Sequence, residues 1–128
     1  TINEIRNGNE NLLVVFGAGG NRDKTKRPEM GKIVSNFANK IILTSDNPRN
    51  EDPNEIIEHI KAGIDVIKKN RVISITDRKE AIRTAIHFAQ SNDIILVAGK
   101  GHETYQEING VRSDFDDREI IKQIFKER

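Results

Sequence analysis

Apolar positions in this chain fall into two alternating patterns, short unbroken runs and stripes at helical spacing. Leu12-Leu13-Val14-Val15-Phe16 is a continuous run, as expected for a strand buried on both faces, and Gly17-Ala18-Gly19-Gly20 ends it. Pro28 suits the first position of a helix carrying Met30, Ile33, Val34 and Phe37 on one stripe. Ile41-Ile42-Leu43 predicts a second strand. Asp52, Pro53 and Glu55 give an N-cap, N1 and N3 signature for a helix with Ile56, Ile57, Ile60, Ile64 and Ile67 inward. A third, shorter strand is predicted at 72–75. Asp77 with Glu80 caps the next helix, whose inner face is Ala81, Ile82, Ala85, Ile86 and Ala89. Ile94-Ile95-Leu96-Val97 is the fourth strand and runs into Ala98-Gly99-Lys100-Gly101-His102-Glu103. Segments 105–108 and 111–113 flank Asn109-Gly110, a strong two-residue hairpin signal. Asp116 with Glu119 caps a last helix bearing Ile120, Ile121, Ile124 and Phe125.

Strands alternating with helices of this length imply right-handed crossovers and an α/β fold with a mainly parallel sheet. The hairpin is expected to make one edge antiparallel. In open sheets of this kind ligands sit beyond the carboxyl ends of the strands. Three polar loops occupy that edge, at 17–27, 45–52 and 99–103.

Length and charge narrow the function classes. The 128 residues form one domain, long enough for a normal core. Lys+Arg 21 against Asp+Glu 20 leaves a net +1, so no overall field points to nucleic acid or membrane. Charged residues make up 32% and the mean hydropathy is −0.61, with no apolar run of transmembrane length. There is no secretory signal pattern, and the lack of cysteine removes disulfide and thiolate chemistry; cytoplasmic is the default setting. Thr1 to Arg6 resembles a helix tail without an N-cap, stopped by Asn7-Gly8-Asn9, so the chain reads as a fragment of a longer protein.

The chemistry gathers at the loops. Thr44-Ser45-Asp46-Asn47-Pro48-Arg49 follows the second strand. Pro48 fixes its own φ and pushes Asn47 toward an extended conformation, so Arg49 leaves a stiff turn. A guanidinium held that way suits two-pronged recognition of a carboxylate or phosphate. Gly17-Ala18-Gly19-Gly20-Asn21-Arg22 invites a dinucleotide fingerprint, but Arg22 stands where the third glycine belongs, which favours a structural turn. No Gly-x-x-x-x-Gly-Lys-Ser/Thr occurs, so a main triphosphate site would lie outside this chain. Arg22 and Lys24 fall at the ligand edge; Lys26 and Arg27 read as solvent-facing, and His59 and His87 as ordinary helix residues. His102 beside Glu103 is poor metal-ligand geometry, and no metal site is assigned. Glu103 is better used to hold a substrate ammonium, with Gly99 leaving room. Asp46 and Lys100 also suggest a phosphoacceptor receiver domain, although that fold needs an acidic pair where this chain has glycines after its first strand. The rival reading is a stand-alone module, either receiver-like signalling or a sensor for an amino acid.

Four motifs in one order carry a resemblance: 16–24 (Phe-Gly-Ala-Gly-Gly-Asn-Arg-Asp-Lys), 26–31 (Lys-Arg-Pro-Glu-Met-Gly), Asp46-Asn47-Pro48-Arg49, and 97–103 (Val-Ala-Gly-Lys-Gly-His-Glu). Together they resemble the C-terminal domain of the Mur ligases, in particular the type that adds the third residue of the peptidoglycan stem peptide. The resemblance implies a Rossmann-like domain, 1–128, that brings the amino acid to a three-domain enzyme. It further implies ATP-driven amide formation: the γ-carboxylate of D-Glu in UDP-MurNAc-L-Ala-D-Glu becomes an acyl phosphate, an amine attacks, and phosphate leaves. ATP and Mg²⁺ would be bound mainly by the other domains, and no catalytic residue is assigned to this chain. The Asp-Asn-Pro-Arg form is similar to that of enzymes choosing meso-diaminopimelate, which implies that Arg49 clamps the distal carboxylate with Asp46, Asn47 and Pro48 beside it. Gly99 and Glu103 match residues at the distal end, Arg22 one near the reacting end, and Lys24 a basic position facing the ATP phosphates.

Overall fold

A computed structural model describes residues 11–20, 24–90, 93–98, 105–108, 111–114 and 117–127. Strand β1 (Leu12–Phe16) pairs in parallel with β2 (Lys40–Leu43) on one side and β4 (Ile94–Ala98) on the other, and β3 (Val72–Ser74) extends the β2 side. The four strands run in the order β3-β2-β1-β4, so the order reverses between β1 and β4. That reversal opens a crevice beyond the carboxyl ends, where α/β sheets place ligands.

The unbroken apolar runs are explained by helices on both faces. Along the pleat, Val14, Phe16, Ile41 and Leu43 point to one core, while Val15 and Ile42 point to the other. Helices α1 (Lys26–Phe37) and α2 (Pro53–Lys61) cover the first. Helices α3 (Arg78–Phe88) and α4 (Asp117–Glu127) cover the second, with Ala81, Ile82, Ala85 and Ile86 buried as the spacing predicts. Asp52 and Asp77 cap α2 and α3, accepting from the Asn54 and Glu80 amides at 2.9 and 3.2 Å. No helix among the described residues is long and apolar enough to cross a membrane.

Three expectations need correction. In α1 the buried face is Arg27, Gly31 and Val34, and Ile33 is exposed. Gly31 turns that face, because a Cβ there would lie 2.1 Å from the Ile60 carbonyl oxygen of α2. Helix α2 ends at Lys61, and a 3₁₀ helix (Val66–Arg71), started by the Asp65 carboxylate on the Ile67 amide, follows. Ile67 therefore leaves the helical stripe and is exposed, whereas Ile64 remains buried. Finally, β5 (Tyr105–Ile108) and β6 (Val111–Asp114) pair antiparallel as a sheet of their own, not as an edge of the parallel sheet. The Gln106 side chain reaches Ser45 and Asp46 past the end of β2, so β5 lies over the carboxyl edge and does not continue the ladder beside β4. The Asn109-Gly110 turn and the proposed cap Asp116 lie outside the described residues.

The close α1–α2 approach yields a sign test. Gly→Ala within a helix ordinarily stabilises by up to about 1 kcal/mol. Gly31→Ala should instead destabilise by about 1–3 kcal/mol, the range for forcing extra volume into a packed contact. Chemical denaturation measures it; a midpoint equal to or above the parent's would contradict the contact.

Candidate functional site

The stretch after β2 is sunk into the molecule. Thr44, Ser45, Asp46, Asn47 and Pro48 are all buried, and Arg49 is half-buried. Buried backbone must find partners, and here they come from three directions. The Thr76 carbonyl accepts the Ser45 amide at 3.4 Å, the Thr44 hydroxyl at 3.2 Å and the Ser45 hydroxyl at 2.6 Å. Gly20 donates its amide to the Asn47 carbonyl at 2.7 Å. The Gln106 amide donates to the Asp46 carbonyl at 2.9 Å and the Ser45 hydroxyl at 3.3 Å. The rigidity expected from Pro48 is thus reinforced by contacts that span the chain.

Arg49 sits at φ 54°, the left-handed region, alone among the described non-glycine residues. For a residue with a Cβ this costs about 1–2 kcal/mol, so the surroundings must hold it there. Its Nη1 donates to the Gly20 carbonyl at 3.1 Å and the Asn47 carbonyl at 3.3 Å. Nε and Nη2 donate to no described residue, and no described carboxylate pairs with the guanidinium. A half-buried, fixed cation with unengaged donors is complementary to a carboxylate or phosphate.

Gly20 makes this turn possible. A Cβ there would lie 1.8 Å from the Pro48 carbonyl oxygen and 2.5 Å from its carbon. The glycine run therefore serves close backbone approach, bringing the first loop onto the turn that bears Arg49.

Two buried arginines brace the same stretch from opposite faces. Arg27 is 1% exposed, not solvent-facing as its charge suggests. It forms a two-pronged pair with Glu51, Nη1 to Oε1 at 3.1 Å and Nη2 to Oε2 at 2.8 Å, and donates to the Gly19 carbonyl at 3.0 Å. The Nδ1 of His59 lies 3.1 Å from Arg27 Nη1 and accepts, since a guanidinium only donates; this helix histidine belongs to the brace. Arg78, also 1% exposed, pairs with Asp117 through Nε at 2.8 Å and Nη2 at 2.7 Å. It also donates to the Ser45 carbonyl at 3.1 Å and the Ala98 carbonyl at 3.4 Å.

The remaining predicted site residues divide. Lys24 is 63% exposed and lies 3.7 Å from Glu51, a screened contact of small energetic weight. Arg22, Gly99 and Glu103 lie outside the described residues. The register nonetheless fixes where their loops begin: Phe16 pairs with Leu43 on one side and Ala98 on the other, so all three loops leave one edge. Sequence reads Arg27 as solvent-facing and does not single out Gln106 or Arg78; the two arginines could be found only through their distant carboxylate partners, which charge spacing does not carry. Asp46 is 5% exposed, which gives a phosphoacceptor role no accessible carboxylate. Among the described residues no group of three or more His, Asp or Glu could hold a metal ion.

Comparison with known proteins places this geometry. The family model described as Mur ligase, glutamate ligase domain, matches residues 1–101. The chain is 55% identical over 124 residues to the UDP-N-acetylmuramoyl-L-alanyl-D-glutamate–2,6-diaminopimelate ligase of Phocaeicola vulgatus, covering 97% of this chain and 26% of that protein. It is 53% identical over 124 residues to the ligase of the same name from Bacteroides thetaiotaomicron, with the same coverage of 97% and 26%. A solved structure of a ligase of that name superposes with a TM-score of 0.86 at 50% identity, over 91% of this chain and 24% of that one. The chain thus spans about a quarter of the length of the curated relatives it matches. With the four-stranded parallel sheet and the braced loop edge alongside that match, the chain belongs to the Mur ligase, glutamate ligase domain family.

Proposed function

We propose that residues 1–128 are the acceptor-binding domain of an ATP-dependent ligase that adds meso-diaminopimelate to UDP-MurNAc-L-Ala-D-Glu in cytoplasmic peptidoglycan synthesis. The observation that carries this reading is Arg49, half-buried at φ 54° with Nε and Nη2 unengaged among the described residues. Diaminopimelate differs from lysine by one carboxylate, and a fixed guanidinium is a specific partner for it. The relatives from Phocaeicola vulgatus and Bacteroides thetaiotaomicron are ligases for 2,6-diaminopimelate, which supports the same substrate.

In this proposal Arg49 holds the distal carboxylate, flanked by Asp46, Asn47 and Pro48, while Glu103 receives the distal ammonium beside Gly99. The distal end is then fixed and the amine near Arg22 is directed at the acyl phosphate, which gains rate from orientation. Lys24, exposed at the same edge, faces the ATP phosphates. As the family resemblance implies, Mg²⁺ and most of the ATP contacts are assigned to the central domain, and the nucleotide substrate to the central and N-terminal domains. Because the reacting groups come from different domains, closure precedes chemistry.

A substrate-competition assay tests this. The full-length enzyme should form amide with diaminopimelate on the order of 30-fold or more faster than with lysine, reflecting an unpaired desolvated guanidinium when lysine binds. The 128-residue chain alone should form none. Equal turnover of lysine and diaminopimelate would sink the reading.

A further inference from the structure

We infer that Arg78 and Asp117 form a positioning pair for the acceptor pocket, setting the separation between the loops that leave β2 and β4. This rests on the proposed reading of the chain as a diaminopimelate-binding domain.

The two carbonyls that Arg78 holds are placed for that role. Ser45 immediately precedes Asp46, and Ala98 immediately precedes Gly99. Strand β1 lies between β2 and β4, so the guanidinium spans the width of the crevice at the switch point. One planar fork thereby reaches the roots of both loops. The Asp117 carboxylate takes Nε and Nη2, which fixes the plane and leaves Nη1 aimed at Ser45 and the second Nη2 proton at Ala98. Asp117 opens α4, so the last helix is tied to the pocket as well.

Stability alone does not call for this arrangement. Replacing a buried ion pair with well-packed apolar residues is often neutral or favourable. The fork adds direction: it determines where two strand ends stop relative to each other. A ligand gripped at Arg49 by one loop and at Glu103 by the other needs that distance held. Arg78 touches neither ligand end in this account, so it acts through the loops.

The test uses the full-length ligase with Arg78→Lys, Asp117→Asn and the apolar pair Arg78→Met with Asp117→Leu. Measurements are KM for diaminopimelate, KM for ATP, the diaminopimelate-over-lysine preference, and thermal unfolding. The expected result is a folded apolar pair whose KM for diaminopimelate rises at least tenfold and whose preference falls, with KM for ATP within twofold of the parent. Arg78→Lys keeps the charge but loses the fork, and should show the same split; it decides the matter if the apolar pair does not fold. A folded variant with parental KM and preference, or one in which KM for ATP and diaminopimelate rise together, overturns the inference. A parent that does not use diaminopimelate overturns the functional reading and this one with it; an active parent with unmoved variants overturns this one alone.

Discussion

Arg49→Ala in the full-length enzyme is expected to lower kcat/KM for diaminopimelate by on the order of 30-fold or more, with KM for ATP nearly unchanged. Truncating one partner of a buried, hydrogen-bonded charge pair costs about 2–5 kcal/mol, because the other charge is left without compensation. The backbone supplies an internal control. Arg49 occupies φ 54°, so Arg49→Gly removes the left-handed penalty as well as the guanidinium. Arg49→Gly should therefore be at least as thermally stable as Arg49→Ala while losing the same activity. Steady-state kinetics with a melting curve for each variant reads both. If Arg49→Ala kept parental selectivity over lysine, the distal carboxylate would have to be recognised elsewhere.

The second large effect lies at Gly20, which never meets the ligand in this account. Its alanine variant would put a Cβ 1.8 Å from the Pro48 carbonyl oxygen, so one of the two backbones must move. Movement breaks the 2.7 Å bond to the Asn47 carbonyl and the 3.1 Å bond from Arg49, leaving buried groups unsatisfied. Gly20→Ala is expected to destabilise by about 2–3 kcal/mol through overpacking and lost hydrogen bonds. Activity with diaminopimelate should fall further than the melting temperature implies, since Arg49 loses its seat. Unfolding by denaturant together with kinetics on the folded fraction separates the two. A variant with parental stability and KM would show that the first loop is not locked onto the turn.

Much of the fold was legible because its causes are local. Unbroken runs marked β1, β2 and β4; Asp52-Pro53 and Asp77 marked helix starts; the Ala81 to Ile86 spacing marked the α3 face. The Arg49 turn was legible for the same reason, since a proline after a strand restricts its neighbours directly. What stayed hidden depends on distant partners. Arg27 is buried because Glu51, 24 positions away, neutralises it, and Arg78 because Asp117, 39 away, does. Without those carboxylates both side chains would belong in water, which is how charge alone reads them. Gln106 acts 60 positions from its acceptor, and nothing around it in the sequence distinguishes it from any strand glutamine. Ile33 misled because helical periodicity gives a stripe but not which flank meets the neighbour; Gly31 decided that through contact with Ile60.

Strand β4 is half-buried at each of its positions, whereas β1 is buried throughout and β2 beyond Lys40. Opening free energies should therefore be graded across the sheet, with β4 exchanging its amides through smaller excursions than its inner neighbours. A ligand bridging the two loops would join a reluctant strand to a permissive one. Its binding energy would then surface as slower amide exchange along β4, while β2, already near the ceiling set by global unfolding, would register little of it. Occupancy of this pocket is best heard at the edge of the sheet and not beneath the arginine.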